Sequence, residues 1–190
     1  MDRSTPRHQC LIYEGSPSAD LQSLSRTLIQ HLDANYRCMY LNTSAMVADM
    51  RTVLVAAGLD VEGLIATNKL ILSSEQNHLI DGKFDIDRMI KSLASLVDES
   101  LALGFVGLWS TGDMNWEFGD RSNLVKLLAY EERLDSYMRN NPGLTAVCQY
   151  HRDTLPLSAV ECGLRTHQAF YLSDTLSRKN LLYKPRDTVS

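Results

Sequence analysis

A chain of 190 residues is one domain by length, or one domain with small extensions, and it is long enough to bury a sizeable core. Apolar residues at 44% and charged residues at 22% describe an ordinary globular protein, and a net charge of -4 excludes the basic footprint of a nucleic-acid binder. No apolar run is long enough to span a bilayer, and residues 1–8 lack the apolar core of a signal peptide, so a cytoplasmic location without membrane contact is expected.

In chain order, the first strand is expected over 8–13 (HQCLIY), followed by a turn and an amphipathic helix over 20–33 with Leu21, Leu24, Leu28, Ile29 and Leu32 on one side. A strand over 36–42 and a helix over 44–57 come next, with Gly58 as the helix stop. A strand over 70–73 precedes a helix over 85–103, whose Ile86, Met89, Ile90, Leu93, Leu96, Val97 and Leu101 recur at three- and four-residue spacing. A strand over 105–111 leads to a long helix over 122–140, which Asn140-Asn141-Pro142-Gly143 ends. The last pieces are a strand over 145–150, a helix over 157–165 and a strand over 169–172. Short, fully apolar strands alternating with helices predict an α/β three-layer sandwich with a mostly parallel central sheet. The domain is placed at 1–172, and 173–190 is read as a polar tail that is partly disordered or adds an element through Leu181, Leu182 and Tyr183.

The turn after the first strand, Gly15 to Gln22, stands where a phosphate-binding loop would stand. Such a loop reads G-x-x-x-x-G-K-[ST], but here the second glycine is Asp20, the lysine Leu21 and the hydroxyl residue Gln22. The partner for phosphate charge and the magnesium-ligating hydroxyl are both missing. Asp20 places a carboxylate at a helix start, where it repels a phosphate.

In an open parallel sheet, ligands bind beyond the carboxyl ends of the strands. Those ends deliver Tyr13, Glu14 and Ser16; then Ser74, Glu75, Asn77 and His78; then Asp113, Asn115 and Trp116; and finally Tyr150, His151 and Arg152. The candidate ligand-binding set is Tyr13, Glu14, Ser16, His78, Asp113, Asn115, Trp116, Tyr150, His151 and Arg152. It is polar, aromatic and mixed in charge, as a small-molecule pocket requires, although strand ends are polar in every α/β protein. Asp113 and Glu117 are the carboxylates available for an unconventional nucleotide site. Glu131 is read as an inward acid able to pair with a cation such as Arg152, and Glu132 as solvated. His8 and His151 fall at opposite ends of parallel strands and cannot share a metal. Cys10, Cys38, Cys148 and Cys162 form no C-x-x-C pair and are read as buried reduced thiols. No metal, cofactor or catalytic residue is expected.

Several segments resemble the MEDS domain, a sensory domain named for methanogens, methylotrophs and the dichloromethane regulator. They are His8 to Tyr13, Asp81-Gly82-Lys83-Phe84-Asp85 with Arg88-Met89, Gly112-Asp113-Met114-Asn115-Trp116, Leu128-Ala129-Tyr130-Glu131, and Cys148-Gln149-Tyr150-His151-Arg152. They run in family order from His8 to about Phe170. The resemblance implies a RecA-like, P-loop-NTPase-like fold with a degenerate phosphate loop. It also implies a cytoplasmic sensor of small hydrocarbon-derived ligands, often found beside DNA-binding or histidine-kinase domains. Asp113 stands where the family often has glutamate, His78 where tyrosine is common, and His151 where aspartate is common. The chain is read as the sensor alone, signalling through a regulatory partner (a kinase or transcription regulator) or through self-association. The expected function is therefore a non-enzymatic sensory or regulatory module; the alternatives are a nucleotide-binding protein or residual ATPase-like enzyme, or a structural subunit whose old site is filled by Leu21 and Trp116.

Overall fold

The computed structural model describes residues 6–74, 79–80, 83–114 and 122–185. Alternation of strand and helix runs through nearly the whole chain. The order is β1 (His8–Tyr13), α1 (Leu21–Asp33), β2 (Arg37–Asn42), α2 (Ser44–Ala56), α3 (Val61–Ala66) and β3 (Leu70–Ser74). A small hairpin of β4 (Leu79–Ile80) and β5 (Lys83–Phe84) leads to α4 (Ile86–Ala102). Then come β6 (Leu108–Asp113), α5 (Ser122–Asn140), β7 (Leu144–His151), α6 (Leu157–Thr166), β8 (Ala169–Ser173) and β9 (Leu176–Lys179).

Seven strands form one sheet in the order β3-β2-β6-β7-β1-β8-β9, parallel throughout except for β9, which pairs antiparallel with β8. Both faces of the sheet are covered, which is why its strands read as apolar runs rather than alternating ones. On one face Leu11, Cys38, Tyr40, Trp109 and Val147 meet Leu24 and Leu28 of α1, Met50 and Leu54 of α2 and Val61 of α3. On the other, Cys10, Met39, Leu108, Ala146 and Tyr150 meet α4 through Leu93 and Val97, α5 through Leu127, Leu134 and Met138, and α6 through Ala159. The result is the expected three-layer α/β sandwich.

Local chemistry starts the helices. Thr43, Asp60 and Asp85 each accept a backbone N–H from the first turn of α2, α3 and α4, respectively. Glycine is required at Gly107, where a Cβ would lie 2.3 Å from the Gly143 carbonyl oxygen. The polar tail supplies β9 and an anchor. Asn180 donates to the Leu164 and His167 carbonyls at 2.7 and 2.8 Å. Tyr183 donates to both Asp135 oxygens at 3.1 Å. Leu181 and Leu182 are exposed, so Tyr183 makes that contact. Among the described residues no helix is long and apolar enough to cross a membrane.

Strand order creates the switch that matters for a site. From β1 the chain leaves through α1 toward β2 on one side, and from β7 it crosses through α6 to β8 on the other. The carboxyl ends of β6, β7 and β1 therefore lie side by side at the crevice where α/β sheets hold ligands.

Candidate functional site

Register places the carboxyl-edge residues. Tyr13 at the end of β1 is level with His151 of β7, and Asp113 at the end of β6 is level with Gln149. The Tyr13 ring stacks on the His151 ring with centroids 4.8 Å apart and planes 7° off parallel. Its hydroxyl donates to Asp113 Oδ2 at 2.5 Å, and both residues are buried. Burial, with the Asp113 charge next, pushes the Tyr13 hydroxyl pKa far up, so it stays a donor. His151 Nε2 donates to the Gly15 carbonyl at 2.9 Å, which leaves Nδ1 to accept from Thr154 Oγ1 at 3.0 Å. Above this buried layer, Arg152 and Glu14 form an exposed ion pair, and Ser16 bonds Ser18 across the turn at 2.7 Å.

The first turn has its own geometry. Gly15 takes φ +76°, the left-handed region glycine favours, and its N–H donates to Asp153 Oδ2 at 2.7 Å. A carboxylate thus occupies a backbone donor that a phosphate would need. Asp20 sits at the N-cap of α1 without a side-chain capping bond, and burial raises its pKa. Leu21, in the place of a phosphate-binding lysine, is part of the core.

Of the ten residues singled out from sequence, Tyr13, Glu14, Ser16, Asp113, His151 and Arg152 lie together on this edge. Tyr150 faces the opposite side of the sheet, fully buried against α6, where Gly163 lies under its ring. His78, Asn115 and Trp116, with Glu117, lie outside the described residues.

A further open space lies away from this edge. A cavity of about 560 Å³ lies toward the amino ends of the strands, with Gln9, His31, Tyr36, Trp109, Tyr171 and Leu176 among its walls. His31 stacks on Trp109 at 5.1 Å, and its Nδ1 donates to the Thr27 carbonyl at 2.8 Å. Burial lowers the His31 pKa from its usual 6.5. The unfolded chain therefore takes up this proton more readily, so stability present above pH 6.5 is lost as pH falls from there toward the lower folded value. Chemical denaturation from pH 7.5 to 5 should show it as a slope of at most about 1.4 kcal/mol per pH unit beyond that of His31→Gln. Equal slopes for the two proteins would rule out His31 as the cause.

A third constellation was hidden in the sequence. Glu131 of α5 is buried, as expected, but its neighbours are histidines and not Arg152. His8 Nε2 lies 3.8 Å and His167 Nε2 3.5 Å from Glu131 Oε2, with all three side chains wholly shielded from solvent. Cys148 Sγ lies 3.8 Å from His8 Nε2. Burial raises the Glu131 pKa to about 7, against the pull of His8, and burial with His8 nearby holds His167 well below its usual value. In the sequence, Glu131 stands in the buried stripe of Leu127, Tyr130, Leu134 and Met138, and His8, Glu131 and Cys148 each fall in a segment that carries the family resemblance, but nothing there groups them.

A family model described as "MEDS: MEthanogen/methylotroph, DcmR Sensory domain" matches residues 7–168. Comparison with curated proteins finds no match.

Proposed function

The chain belongs to the MEDS sensory-domain family, and from that premise we propose that it is a non-enzymatic module that binds a small, hydrocarbon-derived ligand and passes the change to a regulatory protein or to a second copy of itself. The observation that carries this reading is the family match across residues 7–168. The first turn supports it over the nucleotide-binding alternative: Leu21 is buried in the core and Asp153 holds the Gly15 N–H. A RecA-like ancestry with a degenerate phosphate loop fits the same two features. Accordingly, calorimetry with ATP and magnesium should give no saturable heat at micromolar protein, and phosphate release should equal the buffer blank. Micromolar binding, or turnover that Asp113→Ala abolishes, would restore the enzyme reading.

The proposed ligand site is the carboxyl edge. Tyr13, Asp113 and His151 form its floor and Glu14, Ser16 and Arg152 its rim; His78, Asn115 and Trp116 remain candidates from sequence alone. Arg152 offers fixed donors for a carbonyl or anionic group once Glu14 releases it. A second reading rests on volume: a cavity of about 560 Å³ walled by Trp109, His31 and Tyr171 is of a size that holds small ligands. Thermal-shift screening against short-chain alcohols, amines and halogenated hydrocarbons should give at least one stabilising compound. Arg152→Ala should abolish that shift without lowering the ligand-free melting point. If Arg152→Ala leaves the shift intact and Tyr171→Ala removes it, the ligand occupies the amino-edge cavity.

A further inference from the structure

The buried group of His8, Glu131, Cys148 and His167 carries an inference separate from ligand sensing. One donor atom from each lies within 4.8 Å of every other, and all four residues are buried. We infer that these four side chains form a closed binding site for one divalent transition metal of the zinc class, held by His8 Nε2, His167 Nε2, Cys148 Sγ and Glu131 Oε2.

Spacing is the first argument. A tetrahedral zinc ion with ordinary bond lengths sets its donor atoms about 3.3–3.7 Å apart. Three of the six separations are 3.5, 3.8 and 3.8 Å and the rest lie within 4.8 Å, so the four donors must draw in by up to about 1 Å to close around an ion.

Orientation is the second. A ligating imidazole normally donates its other ring N–H to a carboxylate or a backbone carbonyl. Both arrangements occur here. His8 Nδ1 lies 3.4 Å from Asp135 Oδ1, and His167 Nδ1 donates to the Gly163 carbonyl at 2.8 Å. Each contact turns an Nε2 lone pair toward the same point. Asp135 is fixed in turn by the Tyr183 hydroxyl and by Arg139 Nε at 3.2 Å.

Satisfaction and charge are the third. His167 Nε2 and both Glu131 oxygens are sealed from water without a well-formed hydrogen bond, and the buried Tyr150 hydroxyl is a protein donor close enough to influence Glu131. A lone pair facing a carboxylate oxygen at 3.5 Å in a dry interior is unfavourable unless a proton or a metal ion lies between them, and a metal ion satisfies both at once. A divalent ion with one thiolate, one carboxylate and two neutral imidazoles sums to zero charge, the arrangement a buried site can tolerate. Binding would send the Cys148 proton to solvent. A donor set of two nitrogens, one sulfur and one oxygen favours zinc and its neighbours over magnesium or calcium. Such an ion would tie β1, β7, α5 and the end of α6 together at one point.

The test uses the untagged full chain, stripped with a chelator under reducing conditions and then given Zn²⁺ or Co²⁺. One metal ion per chain should be retained after gel filtration, and Zn²⁺ should raise the melting temperature while Mg²⁺ does not. The Co²⁺ form should show the strong ligand-field bands of a tetrahedral site and a thiolate-to-cobalt charge-transfer band. Cys148→Ser should lose that band, and Asp135→Asn should weaken metal affinity about 10–100-fold through His8. Sub-stoichiometric uptake by a folded wild-type chain, a weak octahedral spectrum, or a charge-transfer band that persists in Cys148→Ser overturns the site. If Cys148→Ser fails to fold, the wild-type stoichiometry and spectrum decide alone. Ligand sensing can fail its own screen without touching this result.

Discussion

Trp109→Ala is expected to lower the unfolding free energy by about 3–5 kcal/mol, a large part of the ~5–15 kcal/mol available to a domain. Trp109 is among the largest fully buried side chains, at 1% exposure. It projects from β6 into the layer made by α1, where its ring lies against His31 with centroids 5.1 Å apart. Truncation removes that face and enlarges the adjoining cavity of about 560 Å³. Because that cavity is already open on one side, water enters the new space at little cost, but the indole contacts have no replacement. Trp109→Phe should recover most of the loss. Urea unfolding followed by far-UV circular dichroism measures both variants without relying on tryptophan emission. A cost below about 1 kcal/mol for Trp109→Ala would mean that the cavity wall collapses inward and fills the gap.

The same strand shows where sequence reading stops. Apolar residues predict a strand at 105–111, but β6 runs Leu108–Asp113. Val106 is more than half exposed, and Gly107 presses against the Gly143 backbone, so this stretch is a connection leading into the sheet. An apolar run does not reveal whether it is paired. α3 is not legible in sequence because six residues containing Gly63 carry no helical period, though Asp60 capping the Gly63 N–H marks its start. β9 is not legible either, because all four of its residues are exposed on an edge, with nothing to bury and hence no alternation. By contrast β1 and α5 stand at the bounds read from sequence, since a buried central strand and a long stripe bounded by Asn-Pro-Gly are dictated locally.

The sites divide along the same line. The carboxyl-edge residues could be grouped in advance because parallel topology carries every strand end to one edge. The group around Glu131 could not, because it depends on strand order. His8 meets His167 only because β8 pairs beside β1, and Cys148 only because β7 pairs on β1's other side. His151 and His8 lie apart, as parallel strands require: one is at the carboxyl end of the sheet, the other at the amino end.

Tyr13→Phe is expected to cost about 1.5–3 kcal/mol, the range for hydrogen bonds to charged groups. The ring stays, with its stack on His151, and only the hydroxyl that reaches Asp113 Oδ2 at 2.5 Å is lost. Asp113 is 3% exposed, so water cannot supply an equal donor without opening the edge. Asp113→Asn keeps the shape but removes the charge that strengthens the bond. A double-mutant cycle over these two changes should return a coupling of about 1 kcal/mol or more, since the residues touch. The pair also bears on sensing. A ligand with its own hydroxyl or amine can take the place of the Tyr13 donor at Asp113, so Tyr13→Phe should bind such a ligand more tightly while being less stable without it. A chain destabilised by Tyr13→Phe whose response to every ligand is unchanged would leave the Tyr13–Asp113 bond as a fastener between β1 and β6 and move the sensing chemistry to another part of the edge.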